Sequence, residues 1–225
     1  MDLARTDRKT PVFVASERGH TRVIEMLIKK GCDVDQVQYD GASPVYIAAQ
    51  EGHAEAIRLL LLAGADIDKS RNDGAIPLFV AAYKGHAPAI KALIVGGADV
   101  NQAKGDGATP LYFASQRGHV EAIHMLVDSG ADIDRTRDDG ATALYIASCR
   151  GHLPSIKALI ARGADVNRAK VTNGGHQRIT PVFMAAQSGH ADIVGILLRN
   201  GAQPSCPHFG PLEREKITVV LYAHV

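Results

Sequence analysis

Apolar residues along this chain fall into groups of four that return at a fixed interval. Val23, Ile24, Leu27 and Ile28 are followed by Ala56, Ile57, Leu60 and Leu61, then by Ala89, Ile90, Leu93 and Ile94. The series continues with Ala122, Ile123, Leu126 and Val127, with Ser155, Ile156, Leu159 and Ile160, and with Ile193, Val194, Leu197 and Leu198. The i, i+3, i+4 spacing within each group predicts a helix buried along one stripe. A shorter apolar run precedes each group. In the second period it is Val45, Ile47, Ala48 and Ala49, opened by Ser43-Pro44 and stopped by Gly52. Serine caps free N–H groups, and proline at the first helical position gives up no needed donor. After the second helix, Gly64 and a polar stretch from Asp66 to Asp73 end on Asp73-Gly74, a tight-turn signal. Each period therefore predicts two helices and a turn.

Two markers give the period its length. Gly-His occurs at Gly19, Gly52, Gly85, Gly118, Gly151 and Gly189, in steps of 33, 33, 33, 33 and 38 residues. Gly-Ala-Asp occurs at Gly64, Gly97, Gly130 and Gly163, with variants at Gly31 and Gly201. Of the 22 glycines, 16 fall at three repeat positions, where helices end or a turn needs positive φ. Six repeats result.

The pattern Asp106-Gly107-Ala108-Thr109-Pro110-Leu111, with Gly97-Ala98-Asp99-Val100-Asn101 before it, resembles the ankyrin repeat. The resemblance covers about residues 7–203. It implies an all-α ankyrin-repeat solenoid of stacked helix-turn-helix units with β-turn fingers. The repeats are assigned to 7–39, 40–72, 73–105, 106–138, 139–177 and 178–203, with a lead at 1–6 and a degenerate cap or tail at 204–225. The fifth carries a five-residue finger insertion within Val171–Gln177. Glu213–Leu221 reads either as a capping helix or, from Ile217–Tyr222, as a strand. The weak caps at both ends suggest a piece of a longer array.

Departures from the family pattern carry their own expectations. Where the family usually has His after Thr-Pro-Leu, this chain has Phe13, Tyr46, Phe79, Tyr112, Tyr145 and Phe183, rings expected to pack between repeats. Ile76 replaces the capping Thr and Ala143 replaces Pro. A lost cap costs about 0.5–2 kcal/mol, so Ile76→Thr is expected to raise thermal stability. The column Val14, Ile47, Val80, Phe113, Ile146 and Met184 is expected in the core between repeats, with a groove contact as the alternative.

Charge narrows the function. Lys and Arg number 25 against 24 Asp and Glu. That balance argues against nucleic acid, which calls for a basic excess, and against a polybasic membrane anchor. No apolar stretch approaches a membrane span, the longest lying near Leu59–Ala65. Three cysteines, Cys32, Cys149 and Cys206, form no disulfide framework. The expectation is a soluble protein of the cytoplasm or nucleus, not secreted and monomeric.

Candidate chemistry yields to the repeat. The Gly-His histidines occur once per unit and do not converge on one metal ion; they are expected to tie repeats together by hydrogen bonds. Asp68–Asp73 lacks the glycine and closing glutamate of a calcium loop. Asp33, Asp66, Asp99, Asp132 and Asp165 are expected to bond turn backbone. Cys149, near His152, lacks an oriented base, and no phosphate loop or hydrolase signature occurs. No catalytic residue, cofactor or metal is expected.

What remains is binding. The residue pairs ending the first helices vary while their flanks repeat: Glu17-Arg18, Gln50-Glu51, Tyr83-Lys84, Gln116-Arg117, Cys149-Arg150 and Gln187-Ser188. The finger tips carry Tyr39, then Lys69 and Arg71, Lys104, Arg135 and Arg137, and Arg168 and Lys170. The family resemblance implies that these surfaces form a concave protein-binding face. The cations suggest a partner with an acidic or phosphorylated stripe. The candidate contacts are therefore Tyr39, Lys69, Arg71, Tyr83, Lys84, Lys104, Gln116, Arg117, Arg135, Arg137, Arg150, Arg168 and Lys170. The expected function is a non-catalytic scaffold or adaptor. The alternatives are a regulatory or substrate-recruiting array of a larger enzyme, or a substrate of an asparaginyl hydroxylase. For the last, the resemblance points to Asn101 and Asn167.

Overall fold

The structure is a computed structural model that describes residues 9–172 and 177–204. The lead at 1–6, the insertion's central Asn173–His176 and the C-terminal segment from Ser205, including Glu213–Leu221, lie outside the described residues. The chain divides into two compact units, Met1–Gly105 and Asp106–Val225.

The first unit contains α1 (Pro11–Glu17), α2 (Thr21–Lys29), α3 (Pro44–Glu51), α4 (Ala54–Leu62), α5 (Pro77–Lys84) and α6 (Ala87–Val95). The first helices of its repeats stack α1 on α3 on α5, and the second helices stack α2 on α4 on α6. The second unit contains α7 (Pro110–Arg117), α8 (Val120–Asp128), α9 (Ala143–Arg150), α10 (Leu153–Ala161), α11 (Pro181–Gln187) and α12 (Ala191–Arg199). It repeats the arrangement, α7 on α9 on α11 and α8 on α10 on α12. Between α10 and α11 the insertion builds an antiparallel hairpin of β1 (Lys170–Thr172) and β2 (Gln177–Ile179), with Lys170 opposite Ile179.

Each helix starts and stops for a local reason. The hydroxyl oxygens of Thr10, Ser43, Thr109, Thr142 and Thr180 accept from the N–H three residues on, at 3.1–3.4 Å. Ile76 has no such oxygen. The Phe79 N–H instead donates to the Ile76 carbonyl at 3.1 Å, and the Ile76 side chain is buried. Gly52 closes α3 at φ 80°, a conformation that a Cβ disfavours. Every positive-φ glycine described falls at one of the three repeat positions read from the sequence.

The second-helix stripes form the interior. Ile57, Leu60, Ile90 and Leu93 are fully buried in the first unit, and Ile123, Leu126, Ile156 and Leu159 in the second. Each such side chain contributes roughly 1.5–3 kcal/mol. Val23 is the exception, 44% exposed, whereas the equivalent Ala56 is fully buried. Among the described residues α4 packs between α2 and α6, and α2 packs against α1 and α4.

The Gly-His column locks neighbouring repeats. Nε2 of His53 donates to the Glu17 carbonyl at 3.2 Å, and His86 and His152 reach Gln50 and Gln116 at 3.0 Å. The rings lie against the preceding helix-ending glycine. A Cβ added at Gly52 would sit 2.9 Å from Cγ of His86.

Candidate interaction face

The fingers between repeats are held by short acidic side chains. Oδ1 of Asp33, Asp66, Asp99, Asp132 and Asp165 each accepts the N–H two residues on, at 2.9–3.1 Å. At three of these fingers the residue at that second position reaches the next finger. Both carboxylate oxygens of Asp35 accept the Asp66 N–H, and both of Asp134 accept the Asp165 N–H. Asn167 donates to the Gly201 carbonyl at 3.0 Å and accepts from Gln203 N–H at 2.9 Å. Asp68 breaks the pattern. Its Oδ1 is buried without a hydrogen bond, and desolvation, with Asp66 and Asp99 nearby, pushes its carboxyl above the usual range.

Above these turns sits a set of contacts not foreseen from the sequence. Arg71 lies over the Tyr46 ring, 5.5 Å from its centroid, with Nη1 donating to the phenolic oxygen at 3.4 Å and Nε 3.2 Å from Asp40. In the second unit Arg137 lies 5.2 Å from the Tyr112 centroid, donates to its oxygen at 3.2 Å and pairs with Asp106 at 3.0 Å. Lys170 lies over Tyr145 at 5.7 Å and pairs with Asp139 at 2.6 Å. Lys104 reaches Asp73 at 3.9 Å. Three of the six rings that replace histidine, Tyr46, Tyr112 and Tyr145, are thus roofed by finger cations of their own repeat. Such a stack is worth about 0.5–2 kcal/mol. Tyr46 and Tyr145 are largely buried, and desolvation raises both phenols, Tyr145 to about 12. Lys170 and the Ala141 N–H overcome desolvation at Asp139 and hold its carboxyl low. A readable signal existed in the spacings, 25 residues from ring to cation and 31 from carboxylate to cation.

The candidate contacts therefore divide into two groups. Arg71, Lys104, Arg137 and Lys170 are half-buried and engaged in internal ion pairs. Arg135, Arg168, Lys84, Arg117 and Arg150 are exposed, Lys69 and Gln116 half-buried. Tyr39 is 69% exposed and Tyr83 37%. In the second unit Tyr112, Tyr145 and Ile146 form a cluster with Ala108 and Ala141, overlaid by half-buried Phe113, Cys149, Ile179 and Met184. In the apolar first-helix column Ile47, Val80 and Ile146 are buried, while Val14, Phe113 and Met184 stay partly open. Asn101 and Asn167 are half-buried within the fingers. Among the described residues no cluster of three or more His, Cys, Asp and Glu side chains has the geometry to hold a metal ion. No helix among them is long and apolar enough to cross a membrane.

Paired helices of nearly constant length, fingers between repeats and histidine locks within each unit define a helical repeat protein, the kind of fold that serves generally as a protein-interaction module. The chain belongs to the ankyrin repeat family: the family model for ankyrin repeats in three copies matches residues 1–73, 61–137, 78–170 and 134–208. The crystal structure of the human ASB11 ankyrin repeat domain is similar in fold, with a TM-score of 0.80 and 24% identity, covering 94% of this chain and 98% of that one. No curated protein matches the sequence.

Proposed function

We propose that this chain is a non-catalytic docking module that binds another protein through its first-helix ends and finger tips. The observation that carries the reading is the division of labour within each repeat. Stripe, cap, glycine and histidine positions are occupied by packing, whereas the pairs ending the first helices vary and include exposed Lys84, Arg117 and Arg150. Positions released from packing are free to carry recognition. The cations Lys69, Arg135 and Arg168 give the partner its chemistry, an acidic or phosphorylated stripe. The module acts as a single copy inside the cell, in cytoplasm or nucleus, where Cys32 and Cys149 stay reduced.

Proximity labelling in cells, comparing the parent chain with a Lys69→Glu, Arg135→Glu, Arg168→Glu variant, tests this reading. The expected result is a set of labelled neighbours, rich in acidic or phosphorylated segments, that the variant loses while keeping its thermal stability. An identical set of neighbours for both chains would reject it.

A further inference from the structure

The two units offer different first-helix surfaces. In the first unit α1 and α3 end in Glu17 and Glu51 and α5 in Lys84; of the apolar positions beneath, Ile47 and Val80 are closed over and Val14 is partly open. In the second unit α7, α9 and α11 carry Arg117 and Arg150 and no carboxylate. Their apolar column stays partly open at Phe113 and Met184, with Cys149 one helical turn beyond Ile146. The finger insertion adds to this same place. Strand β2 seats Ile179 against the cluster of Tyr112, Tyr145 and Ile146 and brings exposed Arg178 next to it in the chain. The lengthened finger, the larger apolar side chains of the first-helix column and the exposed Arg150 and Arg178 all occur in one unit.

From this coincidence we infer that the second unit holds a groove for an acidic peptide segment of the partner. A large apolar side chain of the peptide fills the space over Phe113, Cys149, Ile179 and Met184, and flanking Asp or Glu residues face Arg150. The inference rests on the docking role proposed above and assigns that role a location and a peptide chemistry. Apolar anchors surrounded by complementary charge are the usual source of affinity and specificity in such contacts. A peptide without acids would leave Arg150 unpaired, and a uniformly polar one would leave the apolar floor in water.

The test uses a randomised peptide library displayed on phage and selected against the full chain. Enriched peptides are synthesised, and maleimide alkylation of Cys149 is timed in a Cys32→Ser, Cys206→Ser background with and without each peptide. The expected consensus is one large aliphatic or aromatic residue flanked by Asp or Glu. Saturating peptide should slow Cys149 alkylation at least about ten-fold, and Met184→Glu and Arg150→Glu should each weaken binding about ten-fold. Enriched peptides lacking either feature, a Cys149 that reacts at the same rate when they are bound, or no enrichment at all would overturn the groove. Peptides that lose affinity only in the Lys69→Glu, Arg135→Glu, Arg168→Glu variant would overturn the groove while supporting the docking role. The labelling experiment fails or succeeds independently, because it reads whole partners and different residues. Cys149 protection needs no substitution within the apolar groove floor, so a misfolded Met184→Glu does not remove the test.

Discussion

The guanidinium of Arg137 covers the ring of Tyr112, its carbon 5.2 Å from the ring centroid and Nη1 donating to the phenolic oxygen at 3.2 Å. Tyr112→Phe keeps the ring beneath the cation and removes only the acceptor. It should lower stability by about 1 kcal/mol in urea unfolding. Arg137→Gln should cost a similar amount, since Asp106 also loses its partner. The double variant should lose less than the two single losses added together, by about 0.5–1 kcal/mol. Strict additivity would show that ring and cation merely lie close.

Gly52 and His86 give a second coupled pair. Gly52→Ala places a Cβ 2.9 Å from Cγ of His86 at φ 80°. The combined clash and left-handed strain should cost about 2 kcal/mol or more. His86→Ala alone forfeits the bond to the Gln50 carbonyl, about 1 kcal/mol. With the ring gone the clash disappears. The doubly substituted chain should therefore melt above the value expected by adding the single losses.

Ile76 reverses an expectation drawn from the sequence. A threonine there would supply the missing cap, but Ile76 is 2% exposed, and the N–H it would cap already donates to the Ile76 carbonyl. Trading two buried carbons for a hydroxyl costs about 1.6 kcal/mol before any cavity forms. Ile76→Thr should lower stability by about 1 kcal/mol. Thr142→Val, which removes a working cap to Tyr145 N–H, should lower it by a similar amount. Calorimetric melting temperatures of the two variants decide the matter.

That reversal shows where the sequence was legible. Helix ends were written in Ser43-Pro44 and Gly52, and interior faces in stripes such as Ile57 and Leu60, because both follow from local geometry. Cap strength at Ile76 depended on what buries the side chain, which only neighbouring helices decide. Arg71 and Arg137 looked like free finger charges for the same reason. Their partners, Tyr46 with Asp40 and Tyr112 with Asp106, lie 25 and 31 residues away and meet them only after stacking. Phe113 and Met184 are partly open, and nothing local in the sequence sets them apart from buried Ile47.

Asp68 should respond to neutralisation. Burial first, and the fields of Asp66 and Asp99 second, raise its carboxyl. A folded-state pKa above the unfolded one contributes stability below the unfolded value near 3.8, lost as pH rises through the folded value. At neutral pH the charged form therefore weighs against folding. Asp68→Asn, the residue present at the equivalent Asn101 and Asn167, should raise stability by a few tenths of a kcal/mol after solvent screening. The gain should vanish at about pH 3 in parallel urea titrations.

Tyr145 should make its unit sensitive to alkali. Burial lifts its phenol to about 12. The unfolded chain ionises near its ordinary value of about 10, so the stability that Tyr145 contributes below that pH is lost between about 10 and 12. Tyr145→Phe should flatten the fall of melting temperature across this window. An unchanged slope would show that the phenol ionises in the fold as readily as in water.

The hairpin of Lys170–Thr172 and Gln177–Ile179 lengthens one connection by five residues, yet α11 stacks on α9 as α9 stacks on α7. Length at this site is uncoupled from the helical stack. That makes the Thr172–Gln177 junction a natural insertion port. A foreign epitope spliced there would be displayed from an intact scaffold, and in evolution the same freedom lets one repeat acquire a new reading edge while its neighbours keep the fold.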